Sequence, residues 1–135
     1  MGSPSTGPEA ELVESLRSAG VTVQTKYVPD IEKYYQAADV YVFPVTDEGN
    51  SIQAPLSVLE AMACNLPVVS TRFGGLIDLF DEGDGLRFIS SFEDIEESDL
   101  EFDTVETRDK VSQYSWDAIV DQVLDSYHRI CNVEH

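Results

Sequence analysis

The stretch from Ala54 to Ser70 constrains the fold most, because it spells a short helix, an enforced stop and a buried strand in immediate succession. Pro55 suits a first helical position, where its missing N–H would have had no intrahelical partner. Asn65 tolerates the left-handed conformation that closes a helix, and Pro67 forbids continuation. Val68-Val69 then opens an apolar, β-branched run of the kind found in central strands.

Glu60 makes this segment more than a packing unit. At 100° per residue, Leu56, Leu59 and Ala63 fall on one side of the helix with Glu60 among them. The other sides carry Val58, Ala61, Met62 and Cys64, so the helix is expected to be buried nearly all round, with Glu60 as its only charge. An ionised carboxylate in such surroundings costs several kcal/mol unless it is paired or hydrogen-bonded. One reading is a carboxylate favoured by the helix dipole, but that benefit fades after the first turn, and Glu60 lies beyond it. The other reading, a carboxylate that holds a ligand, fits position and surroundings better.

Upstream, Val40-Tyr41-Val42-Phe43 has the continuous apolar character of a central parallel strand covered on both faces. It empties into a polar loop, Pro44 to Gln53, that leads straight to the Glu60 helix. Strand, loop and helix N-terminus together offer free N–H groups to a phosphate, here those of Leu56 and Ser57, with the Ser57 hydroxyl beside them. After the Val68-Val69-Ser70 strand, Gly74-Gly75 allow close backbone approach at a strand-to-helix junction, suiting either a tight turn or a wall of a binding site. Arg72, one of few bases nearby, is placed either to counter a phosphate or to pair with one of many acids.

The run Leu59-Glu60-Ala61-Met62-Ala63, followed by Pro67-Val68-Val69 and Gly74-Gly75, resembles the signature of the family 4 retaining glycosyltransferases (glycosyl transferases group 1). The likeness extends to Tyr34 through Pro44 upstream, and to Ser115-Trp116 and Tyr127 downstream, so it covers most of the chain. Those enzymes have two Rossmann-like domains (the GT-B architecture), and the signature lies in the C-terminal, donor-binding one. The resemblance implies that Glu60 holds the ribose hydroxyls of a nucleotide-diphosphate sugar. It implies that Ala54, Leu56 and Ser57 lie along the donor, that the loop at Val28-Pro29 runs beside the base, and that Gly74 and Gly75 wall the site. It also implies catalysis without a tightly bound metal, a cytoplasmic setting, and an acceptor that brings the enzyme to the inner membrane face. No catalytic residue is assignable. The pattern departs from the family at Ile52, where a second glutamate is usual. Glu48 stands four positions too early, so it either swings in or the sugar is held without it. Pro55 also removes an N–H that glycine supplies in many relatives.

The charge bears on partners. Twenty-six acids against eight bases give a formal −18 and a pI near 4.1. This excess argues against nucleic acid and anionic membrane as partners. The acids are spread along the whole chain with only three lysines, which suits a high-salt cytoplasm more than a locally acidic segment. Cys64 and Cys131 have no metal-ligand spacing and read as reduced packing residues. No run reaches transmembrane length.

Along the rest of the chain, Thr6 to Glu9 has capping-box spacing ahead of a helix with Leu12, Val13 and Leu16 on its buried side and Gly20 at its end. Val21-Thr22-Val23 reads as a strand, Asp30 as the N-cap of a helix carrying Tyr34, Tyr35 and Ala38, Leu76 to Phe80 as a short helix, and Leu86 to Ile89 as a last strand. Residues 93–109, dense in acids with a lone Arg108, read as a solvated, loosely structured region with helical pieces and no active-site role. Ser115 caps a final helix with Trp116, Ile119, Val123, Tyr127 and Ile130 on one apolar face, and His128 reads as a surface residue.

The expected fold is therefore α/β: one Rossmann-like three-layer domain over residues 1–135, with a parallel sheet of about four strands. The resemblance implies a truncated donor-binding part of a glycosyltransferase, inactive alone and lacking its N-terminal acceptor-binding domain. A non-catalytic nucleotide-sugar-binding or regulatory module is the alternative. A phospho-acceptor receiver domain is set aside, because Asp39 precedes its strand and no Lys-Pro occurs.

Overall fold

The computed structural model describes residues 7–47, 52–93 and 95–132. Helix α1 spans Gly7–Ser18 and α2 Ile31–Ala37; then come β1 (Tyr41–Phe43), α3 (Leu56–Ala63), β2 (Val68–Thr71), α4 (Leu76–Leu79) and β3 (Leu86–Ile89). A 3-10 turn at Glu97–Leu100 precedes α5 (Thr107–Ser112) and α6 (Trp116–Asn132). The strands form one parallel sheet in the order β1-β2-β3, with Tyr41 opposite Val68 and Val68 opposite Leu86. The α/β class and the parallel sheet are as expected from the sequence.

The helix–stop–strand unit forms as its residues require. Pro55 sits one place earlier than expected, as the N-cap rather than the first helical residue, and its carbonyl accepts the Val58 N–H at 3.1 Å. Asn65 adopts a φ of +57° and ends α3, after which Val68 enters the sheet. All four residues of β2 are buried, which makes β2 the central strand. The core gathers around it: Val58, Ala61 and Met62 from α3, Phe43 from β1, Phe73, Leu76 and Phe80 beyond β2, and Leu86 and Phe88 from β3.

Four expectations about covering are corrected. Val21-Thr22-Val23 is not in a strand and makes no ladder with β1, so the sheet has three strands among the described residues rather than about four. β1 is accordingly an edge strand of three residues with Val42 exposed, not a central strand covered on both faces. The α1 face expected to be buried is open, with Leu12 60% exposed. The apolar face of α6 is open too: Trp116 is 86% exposed, and Val123, Tyr127 and Ile130 follow it. Hydrophobic spacing defines a face but does not say what lies over it. Cys131, on α6, is exposed for the same reason, whereas Cys64 is partly buried.

The acidic segment after β3 is also more ordered than its composition suggests. Thr107 is fully buried, and its hydroxyl donates to the carbonyls of Leu66 at 3.0 Å and Met62 at 3.4 Å. Asn65 Nδ2 donates to the Val105 carbonyl and its Oδ1 accepts the Arg108 N–H, each at 3.2 Å, while Arg108 Nε reaches the Ala63 carbonyl at 2.8 Å. The Arg108 bond to Ala63 supplies a donor to one of the carbonyls that a helix C-terminus leaves without an intrahelical partner. Gly85 makes room for the passage: it has a φ of +95°, and a Cβ there would stand 2.9 Å from Thr107 Cγ2. Elsewhere the expectations hold. Gly20 closes α1 with a φ of +87°, β3 spans the residues expected, and Ser115 Oγ caps α6 through the Ala118 N–H. Asp30 stands at the N-cap of α2 but makes no side-chain cap bond; it pairs instead with Lys33 at 2.7 Å. Thr6, one half of the expected capping pair, and the loop residue Glu48 lie outside what the structure describes.

Candidate functional site

The candidate site lies where β1 and β2 end and α3 begins. The loop between β1 and α3 is tied down at both of its described ends. Near its start, the Thr71 hydroxyl donates to the Val45 carbonyl. Near its end, the Gly75 N–H donates to the Gln53 carbonyl at 2.9 Å. Gly74 permits this approach: its φ is +50°, and a Cβ there would lie 2.6 Å from the Gln53 carbonyl oxygen and 2.9 Å from its side-chain Oε1. The two glycines are thus joined to the backbone that delivers α3. Ala54 follows, half-buried, and Pro55 is buried. The N–H groups of Leu56 and Ser57 lie ahead of the first backbone bond of the helix, as do the amides of any helix start, and a helix N-terminus of this kind favours an anion.

One turn further along α3, Glu60 is exposed rather than enclosed. This corrects the expectation that α3 is covered all round. Its inward face is Val58, Ala61 and Met62, fully buried, while Leu56, Glu60 and Ala63 turn toward solvent with Leu59 half-buried. Glu60 therefore needs no buried partner to be ionised. It still has one: the Tyr35 hydroxyl donates to Glu60 Oε2 at 3.4 Å. Tyr35, on α2 and 9% exposed, meets the Tyr41 ring edge-on at a centroid distance of 5.7 Å. Burial, then the neighbouring Tyr41 and the Glu60 carboxylate, push the Tyr35 phenol up to about 12, so it stays a proton donor. Tyr41 is raised as well, chiefly by burial, with a Ser57 hydrogen bond acting the other way.

Glu60 borders two concavities. One, of about 280 Å³, opens between α2 and α3 and is lined by Ile31, Glu32, Tyr35, Glu60, Ala63 and Cys64. The other, larger and mainly apolar, runs along the outer face of α3 toward Arg108, Val111 and Trp116. Val28 is half-buried in the loop that leads into α2, two residues before Asp30. Ile52 is exposed at the start of the described backbone before α3. Arg72 stands 3.9 Å from Glu82, both side chains exposed, with its guanidinium over the Phe88 ring at 5.7 Å, so of the two alternatives the described structure shows the acid pair. Among the described residues no group of three or more His, Cys, Asp or Glu is arranged to hold a metal ion.

Three residues of this region make contacts that escaped the sequence reading. Tyr35 is core packing, and what carries no sequence signal is its added contact with the one charge of α3. Thr107 and Arg108 fell in a segment set aside as solvated. For Thr107 and Arg108 there was no signal either, since neither spacing nor composition marks a segment that returns to cap a distant helix.

The family model described as glycosyl transferases group 1 matches residues 2–98, a range that includes every site residue named above from Val28 to Gly75. The chain belongs to the group 1 glycosyltransferases. As a member of that family it is similar to the probable sucrose-phosphate synthase of Thermosipho melanesiensis, 29% identical over 120 residues, covering 87% of this chain and 27% of that protein. It is 30% identical over 135 residues to the D-inositol 3-phosphate glycosyltransferase of Mycolicibacterium smegmatis, covering 87% of this chain and 30% of that protein. The lipopolysaccharide core biosynthesis mannosyltransferase of Rhizobium meliloti is 36% identical over 85 residues, covering 58% of the chain and 23% of the relative. The chain thus spans less than a third of the length of these curated relatives. For a group 1 glycosyltransferase the segment from Val105 to Arg108, which secures the base of α3, lies just beyond the family match.

Proposed function

We propose that this chain is the donor-binding part of a retaining glycosyltransferase. It binds a nucleoside-diphosphate sugar at the sheet end, and the sugar passes to an acceptor hydroxyl with retention at the anomeric carbon. Glu60 accepts the ribose hydroxyls, and the Leu56 and Ser57 N–H groups face the diphosphate. Val28 runs beside the base, while Ala54, Gly74 and Gly75 line the sugar side. The observation that carries this reading is Glu60 itself: a carboxylate exposed on an otherwise uncharged helix, one turn below free first-turn amides. No tightly bound metal enters the reading. The chain works by holding and orienting the donor, which supplies part of the rate through geometry.

Leaving-group stabilisation in such a transfer needs fixed positive charge, and Arg72 is committed elsewhere. On this reading an acceptor-binding domain completes the cleft, and the chain alone binds donor without turnover. The reaction is placed in the cytoplasm, where the acceptor draws it to the inner membrane face. Calorimetric titration of the chain with uridine, guanosine and adenosine diphosphates tests the reading. Glu60→Gln is expected to weaken the best binder by about 1–3 kcal/mol, the range for a hydrogen bond to a charged group. Equal affinities for the two proteins would refute the role of Glu60.

A further inference from the structure

We infer that Tyr35 is a positioning residue that fixes the Glu60 carboxylate for a ribose, with Tyr41 bracing its ring. The inference rests on the reading of Glu60 as the ribose acceptor. Its basis is the contact between the Tyr35 hydroxyl and Glu60 Oε2 at 3.4 Å, with the Tyr35 ring held edge-on to Tyr41 at 5.7 Å.

The physical need is specific. An exposed glutamate side chain samples several rotamers, and accepting from two adjacent ribose hydroxyls requires the carboxylate to be held in one orientation. An ionised carboxylate has about four lone-pair sites, so one bond from Tyr35 to Oε2 leaves room for two ribose donors. Tyr35 can hold its end still because its ring is buried and packed, unlike Tyr34 on the same helix, which is exposed. The phenol remains protonated at any physiological pH and so stays a donor toward Glu60. The cavity between α2 and α3, bounded by Tyr35 and Glu60, lies on the helix that follows the Val28 loop, on the side where the base is proposed to run.

The test compares each nucleoside diphosphate with its 2′,3′-dideoxy form, measuring affinity by calorimetry and folding by thermal melting. Wild type should prefer the ribose form, and Glu60→Gln should bring the preference close to one. Tyr35→Phe, which keeps the ring and its packing on Tyr41, should lower the preference about threefold to tenfold and leave dideoxy affinity within about twofold. In the Glu60→Gln background, Tyr35→Phe should change nothing further. A ribose preference unchanged in Tyr35→Phe, or an equal loss for both nucleotide forms, would overturn the inference while the collapse in Glu60→Gln kept the reading of Glu60. A wild type that binds neither form, or does not distinguish them, would overturn the reading of Glu60 and the inference with it.

Discussion

The tightest approach in the candidate site is the one at Gly74, and its replacement by alanine gives a worked test of the site's architecture. Two costs add. A φ of +50° places an alanine in the left-handed region, at about 1–2 kcal/mol. The new Cβ would also stand 2.6 Å from the Gln53 carbonyl oxygen, a backbone atom that cannot swing aside. Relief requires Gln53 to retreat, and that breaks the Gly75 N–H bond to the same carbonyl, a loss of about 1 kcal/mol. Against this, alanine restricts the unfolded chain and returns about 0.4–1 kcal/mol. The expected net loss is about 1–2.6 kcal/mol, read as a fall in the urea midpoint followed by far-ultraviolet circular dichroism at constant KCl. Gly75→Ala is the internal control: its φ is −79°, its Cβ would meet the same carbonyl at an ordinary 3.5 Å, and the midpoint should move by less than about 0.5 kcal/mol. Equal losses for the two variants would refute the claim that the Gln53 backbone is held against Gly74.

Two further outcomes follow from the structure. Thr107→Val keeps the buried shape but removes the donor to the Leu66 and Met62 carbonyls, so it should cost about 1–2 kcal/mol and lower Tm by roughly 3–10 °C, with Ser at the same position losing much less; a Tm unchanged in Thr107→Val would show that the strap does not cap α3. With a formal −18 to screen, Tm should climb steeply between about 0.1 M and above 1 M KCl, and a flat response over that range would remove the argument for a high-salt cytoplasm.

What the sequence made legible is the set of features governed by local backbone chemistry. Asn65 and Pro67 stop α3 where they should, Gly20 closes α1, and the last strand spans Leu86–Ile89 as read. What it left obscure is every question of what covers a face. The period of α3 sorts its residues into Val58, Ala61 and Met62 against Leu56, Leu59 and Glu60. It does not say that the first set is fully buried while Glu60 on the other side is left exposed, so the sequence alone reads Glu60 as enclosed. The same blindness made Val40 to Phe43 a central strand, since an apolar run reads alike whether one neighbour strand or two lie beside it. Val21 to Val23 has strand chemistry and no ladder, because pairing depends on an adjacent edge rather than on propensity. Thr107 lies 41 residues from its acceptor Leu66, and no local rule reaches that far.

The electrostatics of the site limit what it does to an anion under the proposed reading. A helix start contributes about 0.3–1 kcal/mol toward a negative group at an exposed position. One unpaired acid 10 Å from a phosphate charge opposes it by about 0.4 kcal/mol in water before screening. One such acid is enough to cancel the smaller helix contribution and two come close to the larger, and the chain carries 26 acids against 8 bases. Arg72 does not redress the balance, since it faces Glu82 and Phe88. A diphosphate would therefore be held here by directed N–H groups and a fixed ribose contact rather than by a favourable field. That inverts the usual salt dependence: raising ionic strength screens the acids at a distance more than it weakens bonds made in contact, so nucleotide affinity should hold or improve as salt rises. The requirement for a fixed ribose contact is also what gives the Tyr35–Glu60 pair its importance, because without a helpful field the geometry of that carboxylate carries a larger share of the binding.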